Sequence, residues 1–589
     1  MWYILRMDFS SAFLTEQIIA YIGNKRKLLP LIHSAIESTG LELKPGLRFF
    51  DAFSGSGVVS RMAKAMGFEV FANDWECYAT VLSRGYVATN ESDIADIFGS
   101  EDEFGKVIEQ LNGLGEPDEE NQYIAKFYAP KEFDADAVDF NTERLFYTRQ
   151  NALAIDKLRN GIEREFGGNG RAKDVLLANL IYEAATHTNT SGVFKSFHKG
   201  FGGHGKDALK RIMTGIKLSK PVLIDSEKPV HVFQEDANKL AKELRGIDIA
   251  YLDPPYNQHQ YGSNYHLLNT IAKWDKIPAP LELNDKGILK EKAAIRHDWV
   301  NTKSDYCYRE MAEKTFEDLV ASIDAKHILI SYSTDGIIPF ERMREICTKK
   351  GRLSIVTNEY TTYRGGKKSN SRQNSNIEFI ICIDTSKTND EESLKKIDAI
   401  LTRRKILLMF RQKFSERKLN AEFRRLRKEG FAELSLIKGI SVGEKTADAQ
   451  KKRRAKCPDK QISFSLGGGR EIAVTTRNFF ELKAPENTVE FSTEELEELH
   501  AILCRCSCET KEDEIEEIIW KIRKGTVQLN FARKLPATLK NLAHKKNKAA
   551  FKKWLKRAKS LEEKQPELYG KIREAMENVE SLAEMRFNS

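Results

Sequence analysis

Phe49-Phe50-Asp51-Ala52-Phe53-Ser54-Gly55-Ser56-Gly57 reads as a short apolar strand running into a glycine-rich turn that opens a helix. Glycines in such a turn let the backbone pass close to a bound ligand, where a Cβ would collide. The next apolar run, Val70-Phe71-Ala72-Asn73, ends in Asp74. An acid about 20 positions beyond a glycine turn is placed to accept hydrogen bonds from the two hydroxyls of a ribose. A dinucleotide is disfavoured, because the third glycine of that fingerprint is missing. Taken alone, the pattern also fits a tight turn with a capping aspartate.

On either side the same alternation continues. Leu47–Phe53, Phe68–Asn73, Ile247–Leu252 and His327–Tyr332 read as strands, and Gly57–Met66 and Phe340–Lys349 as helices. Strand, helix, strand in that order predicts a largely parallel sheet covered by helices. The polar run Gly113–Asn121 interrupts it, and beyond that run Glu143–Glu165 and Ala172–His187 carry helical patterns inside a long insertion. A second break falls at Asp384–Glu392, after which charged helices, a hairpin at Ile462–Leu466 and Glu471–Phe480, and a lysine-rich tail are expected.

Ile249-Ala250-Tyr251-Leu252-Asp253-Pro254-Pro255-Tyr256 is the sharper chemical signal. Adjacent prolines cannot continue a central strand, since they donate no hydrogen bonds and fix φ. They make a rigid elbow at the carboxyl end of the sheet, where open α/β folds bind ligands. There the Asp253 carboxylate and the Pro254 carbonyl could accept both hydrogens of one NH2 group, with Tyr256 offering a flat face for a base.

These stretches resemble the Dam-like, D12-class adenine-specific DNA methyltransferases, from about Tyr21 to Asp384. The resemblance rests on three motifs in the family's order: Tyr21-Ile22-Gly23-Asn24-Lys25, then Asp51–Gly57, then, after a long insert, Asp253–Tyr256. It implies an α/β fold: a Rossmann-like sheet with a helical target-recognition insertion; beyond Asp384 the composition predicts a basic, mostly helical C-terminal domain. The expected divisions are 1–120 and 229–385 for the two halves of the methyltransferase, 121–228 for the insertion and 386–589 for the accessory domain. It also implies S-adenosylmethionine as cofactor. Tyr21, Asn24 and Lys25 are then expected to help hold it, with Lys25 near its carboxylate or the target base. Asp51, Phe53, Ser54, Gly55 and Gly57 would surround its methionine, Asp74 its ribose and Asp236 its adenine amine. Asp253, Pro254, Pro255 and Tyr256 become the catalytic elbow, with no metal required. Aspartate rather than serine before the prolines favours adenine within this resemblance, while N4 of cytosine and an adenine in RNA stay open.

Within the insert, Thr190–Lys206 interleaves aromatics, cations and glycines. Lys195, Lys199 and Lys206 could follow phosphates while Phe or His side chains probe a groove. Tyr363–Arg372, with Arg364, Lys367 and Lys368, is a second candidate backbone clamp. In the last region Lys540–Ser560 holds no acid, and a helix of one sign points to a polyanion. His500 with Cys504, Cys506 and Cys508 matches no structural zinc spacing well. Asp459 and Glu481 loosely match a metal-dependent nuclease, which would make the chain a bifunctional restriction–modification enzyme.

With 589 residues the chain needs more than one core, and its 41% hydrophobic content suffices to build them. A net charge of +8 suits double-stranded DNA as partner without proving it. No run of about 18 apolar residues and no basic start to Met1–Arg6 argue against a membrane span or a secretory leader. A cytoplasmic, nucleoid-associated enzyme with reduced thiols is expected, in company with a cognate restriction endonuclease.

Overall fold

The computed structural model describes residues 7–134, 137–203, 206–357 and 377–409, short stretches between 415 and 475, and 493–508, 510–525 and 527–588. These residues divide into two compact units, one running to Leu394 and the other beginning at Lys395.

The first unit is built on a seven-stranded sheet. Its strands are β1 (Arg48–Asp51), β2 (Glu69–Asn73), β3 (Val230–Phe233), β4 (Ile247–Leu252), β5 (Ala325–Ser333), β6 (Arg352–Thr357) and β7 (Glu378–Asp384). They lie in the order β3-β2-β1-β4-β5-β7-β6, all parallel except β7, which runs antiparallel to both β5 and β6. The order reverses between β1 and β4, and a ligand crevice is expected outside the carboxyl ends of the strands at such a reversal. Asp51 closes β1 and Asp253 follows β4, so the two expected motifs meet at that point.

β4 is buried at every position, as its unbroken apolar run requires of a strand covered on both faces. Its one acid, Asp248, accepts from the Arg48 N–H and pairs with Lys326 at 2.7 Å. The edge strands β3 and β6 escape a reading of apolar runs. β3, Val-His-Val-Phe, is half-buried along its whole length, and β6 alternates.

The insertion between β2 and β3 holds two long helices, Arg149–Phe166 and Gly170–Thr186, capped by the Thr148 and Asn169 side chains. Residues 143–148, expected as helix, are not. Arg144 is fully buried and donates to the carbonyls of Phe127, Ala279, Pro280 and Glu291, which ties this stretch down as an irregular segment. The insertion keeps one small cluster to itself, Leu145, Phe201 and Ile212, while its long helices join a larger one. Leu158, Val175 and Ala178 share one apolar cluster with Tyr78, Leu82 and Tyr86 beside the sheet and with Leu268 and Ile271 from helix His266–Lys273.

The second unit holds a three-stranded antiparallel sheet of β8 (Ser435–Lys438), β9 (Lys460–Leu466) and β10 (Arg470–Thr475), in the order β10-β9-β8. The expected hairpin is its β9–β10 pair. Helices from Lys511 onward pack around Ile515, Ile519, Leu535, Leu539, Phe551 and Trp554. Among the described residues no helix is long and apolar enough to cross a membrane.

Candidate active site

A cavity of about 400 Å³ opens at the carboxyl ends of the strands. Its walls come from the ends of four strands and the segments that follow: Ala52 and Phe53 after β1, Asn73–Glu76 at the end of β2, Glu235–Asn238 after β3 and Asp253–Tyr256 after β4. Tyr21–Gly23, Tyr261, Thr302–Tyr306 and the helix residues Met311, Lys314, Thr315 and Asp318 close the remaining sides. Of the residues expected to form the site, Tyr21, Phe53, Asp74, Asp236, Asp253, Pro254, Pro255 and Tyr256 line the cavity.

The others stand behind its wall. Lys25 is almost fully buried, and its Nζ lies 2.8 Å from Asp253 Oδ1 and 5.2 Å from the centre of the Tyr256 ring. Burial disfavours its charge, but Asp253, Tyr256 and Glu378 outweigh that and raise its pKa above the ordinary lysine value. One face of Tyr256 is therefore covered by a cation, and its ring meets Tyr332 edge-on. Asn24 does not reach the cavity. Its amide donates to the Ile19 carbonyl and its oxygen accepts from the Arg26 N–H, so it shapes the turn that delivers Lys25.

Asp51 is buried and accepts from the Ser60 hydroxyl at 2.6 Å. Ser54 lies 3.3 Å from Ser83, and Gly57 caps helix Val58–Ala65. Gly55 matters most. Its φ is +51° and a Cβ there would stand 2.9 Å from the Tyr21 ring, so only glycine lets the turn press against that tyrosine. The Gly55 N–H donates to Asp74 at 2.8 Å, which joins the turn to the end of β2.

Several lining residues were not anticipated. Glu76 is buried and accepts from the Asn269 amide. Tyr21 stacks on Tyr261 and Tyr265, with ring centres 5.3 and 4.9 Å away. Tyr306 meets Phe53 edge-on and donates to Asn238 at 2.6 Å. Tyr261 and Tyr265 had a readable signal, an aromatic pair four apart just beyond the elbow. Tyr306 had none, because it sits in a loop that reaches the cavity only through the tertiary fold.

The electrostatics of the cavity are one-sided. Among the described residues Asp74, Glu76, Glu235, Asp236, Asp253, Asp305 and Asp318 line it, against Lys303 and Lys314. Burial raises Asp74 to about 6, partly opposed by the N–H groups of Glu76 and Gly55, and raises Glu76 to about 7. Burial likewise raises Asp51 to about 7. Asp236 caps helix Ala237–Ala241 by accepting from the Lys239 N–H.

In the Thr190–Lys206 loop, the lysines and the aromatics part company. Lys195, Lys199 and Lys206 are exposed, with Lys199 over the Phe140 ring. Phe194 and Phe201 are buried and anchor the loop, whereas Phe197 and His198 are half-buried. The Phe194 N–H donates to the Asn264 carbonyl at 2.7 Å, and the Phe194 carbonyl faces His266 Nε2 at 2.9 Å. Arg364, Lys367, Lys368, His204, Asp459 and Glu481 lie outside the described residues.

A family model for the D12 class N6 adenine-specific DNA methyltransferases matches residues 21–346. The type II methyltransferase M.NlaIII of Neisseria lactamica is 31% identical over 363 residues, which is 61% of this chain and 96% of that protein. Modification methylase LlaI of Lactococcus lactis subsp. lactis is 29% identical over 61% of this chain and 54% of its own length. The type II methyltransferase M.FokI of Planomicrobium okeanokoites is 29% identical over 64% of this chain and 55% of its own. The chain thus spans about half the length of the last two. The family match begins at Tyr21, on the cavity wall, and runs past Asp318, the last residue to line it, and the chain belongs to the D12 class of N6 adenine-specific DNA methyltransferases.

Proposed function

We propose that this enzyme transfers the methyl group of S-adenosylmethionine to N6 of an adenine turned out of duplex DNA, as the modification partner of a restriction endonuclease in the cytoplasm. The observation that carries the reading is the placement of Asp253, at the end of a fully buried central strand and on the wall of an acid-lined cavity. Similarity to M.NlaIII, LlaI and M.FokI, each named a type II methyltransferase or modification methylase, supports the pairing with a nuclease.

The residues present fit the cofactor. Seven acids against two lysines favour a cation, and Phe53, Trp75 and Tyr306 supply apolar faces between them. Asp74 would take the ribose, Asp236 the adenine amine, and Tyr21 and Phe53 would flank the methionine arm. When bound, S-adenosylmethionine supplies an electrophilic methyl on a positively charged sulfur.

The chain's own part is to make N6 nucleophilic, since its lone pair is otherwise delocalised into the ring. Asp253 and the Pro254 carbonyl each accept one N6–H and so turn the lone pair out of conjugation. Lys25 grips one carboxylate oxygen and fixes its plane. Positive charge develops on N6 as the new bond forms, and a fixed carboxylate beside it stabilises that state more than the ground state. Tyr256 supports the extruded base, at ~1–3 kcal/mol for a stacked ring, against a flipping penalty of a few kcal/mol. Lys195, Lys199 and Lys206 follow the phosphates, joined by Arg364, Lys367 and Lys368.

Asp253→Asn keeps the shape of the side chain and replaces an acceptor oxygen with a donor. We expect kcat to fall ~10²–10³-fold, with cofactor and DNA still bound, in an assay of tritiated methyl transfer to duplex DNA. Label should appear in N6-methyladenine. Label in cytosine, or transfer only to RNA, would overturn the substrate. Undiminished turnover in the variant would overturn the role of Asp253.

A further inference from the structure

The helix Lys548–Lys559 in the second unit has two unlike faces. Phe551, Trp554, Leu555 and Ala558 are buried in the helical core, while Lys548, Lys552, Lys553, Lys556 and Lys559 are exposed. At about 100° per residue, the buried positions fill one arc of the helix and the lysines fill the next. The turn Lys545–Asn547 extends the charged row with two more exposed lysines, Lys545 and Lys546.

Acids of neighbouring helices answer only its edge. Glu516 takes Arg557 at 3.3 Å and Glu580 takes Lys559 at 2.6 Å. Among the described residues, Lys545, Lys546, Lys548, Lys552, Lys553 and Lys556 have no ion pair. Lys548 and Lys553 lie over the rings of Phe587 and Trp554, contacts that leave their charge uncompensated. Six unneutralised cations side by side repel one another, and a structure keeps such a row at a cost unless an anion covers it.

We propose that this face holds the sugar–phosphate backbone of duplex DNA without reading its sequence, a DNA contact separate from the methyltransferase unit. Lys548, Lys552 and Lys556 recur every four residues, about 6 Å apart along the axis, which suits a polymer bearing one charge per ~1.7 Å of duplex. Lysine presents a compact point charge, suited to phosphate and unsuited to the paired acceptors of a base edge. The aromatic side chains of this helix are buried in the core, so none is offered for stacking on the bases of a single strand. Its apolar face is likewise already used, which leaves nothing to insert into a membrane.

The test uses the full chain and a duplex of poly(dG) and poly(dC), which contains no adenine and so offers the methylation site none of the base assigned to it. In the triple variant Lys548→Gln, Lys552→Gln, Lys556→Gln, the slope of log affinity against log salt should shrink by ~2.7, about 0.9 for each lost phosphate contact. Affinity at 0.1 M salt should drop more than tenfold, on the order expected for three contacts. The matching triple Lys→Arg variant should keep the wild-type slope. If the glutamine variant loses helix content, the single exposed change Lys552→Gln is read instead, with a slope change of ~0.9. An unchanged slope in either folded glutamine variant overturns the proposal. So does an affinity loss that appears with anionic vesicles or single strands and not with the duplex. Because the readout is binding to adenine-free DNA, failure of the methyl-transfer reading would leave this result interpretable.

Discussion

Asp253 meets Lys25 at 2.8 Å, so the carboxylate assigned to the target amine already has a cationic partner in the cavity wall. Around this pair the acids are shifted together. Asp74 stands at about 6, and Glu76 and Asp51 at about 7, in each case chiefly through burial. Such carboxyls hold protons more tightly in the fold than in the unfolded chain, where they ionise near ~4. Stability of the free protein should therefore fall as pH rises from about 4 to about 7 and level off above that. A cationic cofactor favours the ionised acids, so its binding should release protons and tighten across the same window. Titration calorimetry near pH ~6.5, in two buffers of different ionisation heat, measures the release. Heats that do not depend on buffer would remove these acids from the cofactor site. Asp253–Tyr256 was legible because two prolines after an apolar run permit few structures. The turn-shaping part of Asn24 was not legible, because an asparagine that shapes a turn and one that binds a ligand look alike in sequence.

The elements were legible where burial is complete and obscure where it is partial. β4 coincides with its apolar run, whereas β3 and β6 lie at the sheet edges and show no such run. The seam between sheet and insertion was invisible altogether, since it depends on which helices meet. There Gly85, in the short π-helix Arg84–Ala88, faces helix Gly170–Thr186. A Cβ at that position would stand 2.5 Å from both the Ala178 Cβ and the Asp174 carbonyl oxygen. The contact leaves no room for a methyl, and backbone cannot step aside as a flexible side chain can. Gly85→Ala should destabilise the first unit by ~1–3 kcal/mol through overpacking, seen as a lower urea midpoint at unchanged slope. An unaltered midpoint would show that the helices are free to separate there.

Each of the two compact units has its own apolar core. Scanning calorimetry should resolve two transitions, of which S-adenosylmethionine raises only the one belonging to the cavity-bearing unit. At a hundredfold excess over Kd the gain is ~2.7 kcal/mol. A single transition moved as a whole would mean that the units unfold together. At this scale the helical end of the chain was legible in its charged helical patterns. Which neighbours the long helices of the insertion pack against was not, because apolar faces do not announce their partners. That shared cluster of Leu158, Val175, Ala178, Tyr78, Leu82 and Leu268 bears on how such enzymes diverge. Helices welded to the sheet in this way cannot be traded between lineages as a cassette, for a graft would have to bring the facing residues of that cluster with it.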